Sequence, residues 1–250
     1  MKESMPAVVA RSESSSTGSS EIHHTHRDVS GGWLRPAVFG VMDGLVSNGA
    51  LIAGVSAANA TTHDVILSGW AGLLAGSFSM AVGEWTSVAS QTHLVQAEID
   101  KERLELERSP EAEERELAGL FRRRGLPRDL ATRVAAEVSK DPDERWRVHV
   151  REELGIDPDS QPSPYVAAGL SFVTFALGAL LPLAPFLLGA HSLIWSIVLG
   201  ALLLLVVGGV VARLTRRPPV VGALRQLALG AVTVAVVFGV GHAIGTGVTG

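Results

Sequence analysis

The chain has 250 residues, 47% of them hydrophobic, and a net charge of −4 that describes neither part of it. Residues 92–160 hold 18 of the 25 acids and 13 of the 21 basic residues, whereas residues 161–250 contain no acid at all. A soluble domain must wet its whole surface and does not sort its charge this way; the pattern is that of a membrane protein with a charged inset. The absence of cysteine excludes disulfides, thiolate metal sites, iron–sulfur clusters and cysteine nucleophiles. With no basic surplus and no nucleic-acid motif, nothing points to a nucleic-acid partner.

Residues 1–30 are polar and rich in Ser, Thr and His, and lack the apolar stretch of a secretory signal. They are expected to form a disordered tail. The cluster His23-His24-Thr25-His26 offers metal ligands, although a floppy tail explains it more simply. Five stretches are then long and apolar enough to cross a ~30 Å hydrocarbon core as helices. They run over 34–58, 65–90, 165–188, 192–213 and 222–247. The expected architecture is all-α, a polytopic protein with spans 1–2 within 31–91, an inset at 92–160 and spans 3–5 within 161–250.

Orientation follows from Lys and Arg. The connection from Asn59 to Asp64 and the turn at Gly189–Ser192 carry neither, while Arg27, Arg35, the inset and Arg213–Arg217 carry the charge on the other side. That alternation puts the N-terminus and the inset in the cytoplasm and the C-terminus outside. Trp33, Trp70, Trp85 and Trp195 lie near the ends of spans, as interfacial anchors do.

Within the inset, a helix leaves the second span and runs to about Arg108. Ser109-Pro110 offers an N-cap followed by Pro at the first helical position, and Gly125 stops that helix. Asp141-Pro142-Asp143-Glu144 starts another in the manner of a capping box, ending near Gly155.

Asp43 lies inside the first span, where a carboxylate costs roughly 2.5–3.5 kcal/mol on insertion scales. Such acids usually mark an ion or proton path; the alternative is a packing acid bonded to a neighbouring Ser or backbone group. Asp43 is about 12–15 Å and Met80 about 13 Å from the cytoplasmic ends of their antiparallel spans, so the two can meet at one level. Carboxylate oxygen with thioether sulfur suits Fe²⁺ or Mn²⁺ better than Mg²⁺. Small residues around them (Gly40, Gly44, Gly76, Gly83) allow the helices to approach closely. Glu84 is near the cytoplasmic end of span two, where it either joins the path or snorkels to the interface. In the inset, Glu102 and Glu105 share a helix face with Glu98, Glu113 and Glu116 are three apart, and Glu153 follows His149 by one turn. Folded together they would surround cations. On spacing alone, a solvated face laced with salt bridges accounts for them better, because Lys101, Arg103, Arg108 and Arg115 are interleaved. No hydrolase, kinase or dinucleotide motif is present, so no enzyme activity and no prosthetic group are expected.

The segments Met42-Asp43-Gly44-Leu45-Val46-Ser47 and Ser79-Met80-Ala81-Val82-Gly83-Glu84-Trp85-Thr86-Ser87, with the five-span layout, resemble the vacuolar iron transporter (VIT) family over about residues 30–248. The resemblance implies a homodimeric carrier in the lipid bilayer that moves Fe²⁺, Mn²⁺ or related divalent ions out of the cytosol in exchange for protons. It implies that metal passes through Asp43 and Met80 and is gathered on Glu102, Glu105, Glu113, Glu116 and Glu153. Plant members have further membrane acids where this chain has Pro36 and Gly72; Glu84 resembles the bacterial branch and can substitute for one of them. A methionine pair before the last inset glutamate is replaced by His149-Val150, shifting the expected preference toward Mn²⁺ or Zn²⁺. With 18 Arg against three Lys, the chain suggests a GC-rich bacterial genome and hence an exporter of the plasma membrane; in a eukaryote the same topology would load a vacuole. The competing reading is a membrane-anchored metal buffer or sensor that transports nothing, and a more distant one is a membrane enzyme or scaffold.

Overall fold

The computed structural model describes residues 33–190 and 192–248. The expected tail at 1–30 and its His cluster lie outside them. Eight α-helices run in order among the described residues. These are α1 (Leu34–Ala57), α2 (Thr62–Arg108), α3 (Pro110–Arg123), α4 (Arg128–Val138), α5 (Pro142–His149), α6 (Pro164–Leu187), α7 (Leu193–Leu214) and α8 (Pro219–Val248). Five of them (α1, α2, α6, α7 and α8) are long and apolar enough to cross a membrane, at the places the hydropathy pattern predicts. With no water in hydrocarbon to satisfy backbone groups, a helix is the form an apolar segment of this length takes.

Helices in lipid gain little from burying apolar side chains against one another, so close packing of small residues must hold them together. The α1–α6 contact is built this way. A Cβ on Gly40 would collide with Thr174 Oγ1 and one on Gly44 with the Phe175 carbonyl. Gly178 of α6 returns the contact against the backbone of Val41. Farther along, Gly241 of α8 lies directly on the backbone of Gly54. α1 is thereby enclosed, and Ile52 and Ala53 are fully buried. At the end of the bundle away from the inset, Ile52, Val65, Leu183 and Phe186 form one apolar cluster. Leu73, Phe175 and Ala179 form another at mid-depth. Pro182 and Pro185 lie inside α6, and the Ser196 hydroxyl of α7 donates to the Pro182 carbonyl at 2.5 Å, tying the two helices together. The opposite face of α2 carries Leu67, Trp70, Leu74, Phe78, Val82 and Trp85, all exposed.

α2 does not stop at the membrane boundary. It starts in a full capping box between Thr61 and Asp64 and continues for 47 residues into the inset. α3 begins with Pro110 as expected, but the Ser109 side chain makes no cap; its backbone carbonyl accepts from Ala112 and Glu113 instead. Gly125, at φ +100°, ends the helix. Leu126 N–H bonds back to Phe121 and Gly125 N–H to Arg122, the pairing of a left-handed helix stop. α4 was not expected from the sequence. Its buried face is only Ala131 and Ala135, which give a weak apolar signal. Those alanines pack with Leu117 and Ala118 of α3 to form the inset core. The Asp141 carboxylate caps α5, accepting from the Asp143 and Glu144 amides. α5 then widens into a π-helical turn over Val150–Leu154, closed by Gly155 at φ +67°.

Candidate metal sites

The depth arithmetic for the first span holds in three dimensions. Asp43 of α1 and Met80 of α2 line one cavity of about 310 Å³, shared with Ser47, Asn48, Leu51, Gly72, Gly76, Ser79 and Phe175. The nearby Ser47 hydroxyl bonds the Asp43 backbone carbonyl at 2.5 Å and not its carboxylate. Among the described residues no hydrogen bond or ion pair reaches that carboxylate. Two helices approach here because Gly76 leaves room for the Phe175 ring, where any Cβ would clash.

Asn48 is a residue that sequence reasoning passed over. Its amide nitrogen donates to the Ala179 carbonyl at 2.7 Å, while its Oδ1 is buried and has no partner. An unpartnered buried acceptor costs about 1–3 kcal/mol, so such a group calls for a reason. The available signal was an amide five residues after Asp43 in an otherwise apolar span.

Glu84 is not in the Asp43 cavity. It stands one helical turn nearer the inset than Met80, 4.0 Å from Arg35, and lines a separate space with Trp33, Val88, Gln91 and Val166.

In the inset, three elements converge. Glu102 comes from α2, Glu113 from α3 and His149 from the end of α5, each offering a ligand atom within 4.8 Å of the others. Glu102 is 4% exposed and His149 fully buried. His149 Nδ1 is 3.1 Å from Glu102 and 3.9 Å from Glu113. Among the described residues neither imidazole nitrogen nor Glu102 Oε1 makes an aligned hydrogen bond, so three buried polar atoms on two side chains are left unsatisfied. The π-helical turn carries Glu153 to the rim of this group. Burial, the charges of Glu102 and Glu116 and a hydrogen bond with Glu102 push the Glu153 carboxyl up to about 7. Burial first, then Glu102 and Glu116, also raise Glu113. Glu105 stands at the edge, near enough to repel Glu113 and 4.0 Å from Lys101. Of the interleaved cations, Lys101 alone pairs with one of these glutamates; Arg103 instead stacks 4.0 Å over Trp146. Arg124 pairs with Glu152 at 2.9 Å and ties the π-helical turn to the end of α3. Two carboxylates and an imidazole form a donor set suited to first-row divalent ions such as iron, manganese or zinc.

The sequence pattern of the VIT family matches residues 34–242, which span every element just described. The chain belongs to the VIT family. It is 38% identical over 217 residues to a protein of Acanthamoeba castellanii named "Vacuolar iron transporter", covering 84% of this chain and 78% of that one. It is 33% identical to "Vacuolar iron transporter homolog 1" of Arabidopsis thaliana, over 86% of this chain and 84% of the relative. "Vacuolar iron transporter 1" of the same plant is 29% identical, with 86% and 88% covered. VIT family members are transporters and not enzymes.

Proposed function

We propose that this VIT family member moves Fe²⁺ or Mn²⁺ out of the cytosol, with protons travelling the other way. The observation that carries the reading is the Asp43 carboxylate, unpaired among the described residues in a cavity it shares with Met80 inside the membrane span. A charge held there with no described partner is best accounted for by a passing cation. The names of the relatives favour iron. Asp43 and Met80 form the membrane site, with Glu84 on the approach to it. Glu102, Glu113 and His149 gather the ion in the cytoplasm, assisted by Glu105, Glu116 and Glu153, and the imidazole admits Zn²⁺ as a further cargo. The protein works as a homodimer, for which the exposed apolar face of α2 supplies surface. The receiving compartment is a vacuole, or the exterior if the membrane is a bacterial plasma membrane. Reconstituted protein should carry Fe²⁺ and Mn²⁺ into liposomes while an internal dye reports proton loss. Metal binding without flux would leave the buffer reading, which the inset cluster alone supports.

The orientation is tested independently. Cysteines placed singly at Thr61 and Gly250 should react with an impermeant thiol reagent from outside sealed cells, and one at Arg217 should not. The cysteine-free chain makes labelling of Arg217→Cys decisive against the orientation.

Glu153 adds a pH dependence. Its folded value of about 7 lies above the ordinary 4.5, so the folded protein holds the proton more tightly than the unfolded chain. Without metal, stability contributed by the protonated group is therefore lost as pH rises from about 4.5 through about 7. Metal-free protein should melt lower at about pH 8 than at about pH 5, and Mn²⁺ should raise the value at the higher pH more. The reverse order in a thermal melt would contradict the clustering of these carboxylates.

A further inference from the structure

The cavity between α1 and α2 is longer than a single ion site. Asp43, Asn48 and Leu51 line it from α1, and Met80, Gly76 and Gly72 from α2. The two helices are antiparallel neighbours, and a Cβ on Gly72 would meet both Asn48 Oδ1 and Leu51; Met80, eight residues farther along α2, then falls near the level of Asp43. The ends of each row are eight residues apart, or about 12 Å of helix rise. The carboxylate and the thioether occupy the end nearer the inset; Asn48 lies about 8 Å farther on.

The two ends of the Asn48 amide are treated differently. The nitrogen is fixed by its bond to the Ala179 carbonyl of α6. That bond turns the oxygen toward α2, where it lies over Gly72; a Cβ on that glycine would come within 2.5 Å of it. Among the described residues no hydrogen bond reaches the oxygen. An asparagine kept only to tie helices together would have both ends satisfied, since the group offers donors and acceptors alike.

We infer that Asn48 is the outward station of the ion path, its Oδ1 receiving the divalent cation after it leaves Asp43 and Met80. This rests on the transport reading and deepens it. A hard, neutral oxygen accepts Mn²⁺ or Fe²⁺ without the hold of a second carboxylate. Passage needs sites strong enough to admit an ion and weak enough to release it. A charged site followed by a neutral one meets both needs, and Gly72 leaves the oxygen free of a competing side chain.

The test is Mn²⁺ flux and thermal stability of the full-length protein in liposomes and detergent. Asn48→Leu keeps the size and removes the oxygen; Asn48→Asp keeps an oxygen and adds charge. Both lose the bond to Ala179, so a purely structural role predicts equal damage in both. Asn48→Leu should lower maximal flux by about tenfold or more, with the half-saturating Mn²⁺ concentration unchanged because Asp43 and Met80 still collect the ion. Asn48→Asp should instead lower the half-saturating concentration, and slow turnover by holding the ion. Parallel losses in both variants, or wild-type flux in Asn48→Leu, would overturn the station. Should the Leu variant fail to fold, an unchanged half-saturating concentration in Asn48→Asp overturns it equally. If the wild-type protein carries no Mn²⁺, the transport reading itself fails. An active wild type, an inactive Asp43→Asn and a normal Asn48→Leu would sink the station alone.

Discussion

Asp43→Asn protein should carry Fe²⁺ and Mn²⁺ at no more than about a hundredth of the wild-type rate. The substitution keeps the shape of the side chain and the cavity it lines with Met80. It removes the one charge there that can balance a dication. Losing a residue that merely supports a metal ligand already costs about 10–100-fold in affinity or activity, so neutralising the ligand itself should cost at least the upper figure. No described residue bonds the carboxylate, so packing has little to lose, and the variant should melt no lower than wild type. It should melt slightly higher, because an unpaired acid inside an apolar span opposes folding. Flux assays on liposomes, with melting measured on the same preparations, separate the readings. Undiminished transport would remove Asp43 from the path, and a collapse of stability would make it a packing residue.

The second large effect belongs to the inset. Replacing Glu102 and Glu113 together by Gln preserves size and helix propensity while removing two of three converging ligands. Loss of a mere supporting residue around a bound metal costs about 10–100-fold in affinity, so losing two direct ligands should cost at least that. Calorimetry on the full-length protein with Mn²⁺ and Fe²⁺ measures it. The metal-free variant should be the more stable protein, since Glu102, Glu113, Glu116 and Glu153 repel one another when ionised. Weaker binding with a higher melting point cannot come from misfolding. A solvated salt-bridge face predicts neither change, and unchanged affinity would restore that description.

Spans and punctuation were legible in the sequence because both depend on local chemistry. Leu34–Ala57, Pro164–Leu187 and Leu193–Leu214 fall where apolar length demands a helix. Gly125 and Gly155 end their elements at positive φ, where a side chain would be strained. The meeting of Asp43 and Met80 was legible too, since both helices start from the same plane and rise by a fixed step. What escaped was whatever depended on partners distant in the chain. α4 has only alanines on its buried face and takes its place from α3. That Glu102, Glu113 and His149 converge depends on how the inset helices fold back, and that Glu84 turns to Arg35 depends on how α1 lies against α2; spacing along one helix contains neither. Asn48 was overlooked because its surroundings come from α6, whose Ala179 carbonyl holds the amide from far along the chain.

On the transport reading, the unbroken α2 sets how far an ion gathered by the inset has to travel. Glu102 and Met80 lie on the same helix, 22 residues and therefore about 33 Å apart. No loop intervenes between them, so the separation of the two sites is written in a count of helical residues and not in the conformation of a linker.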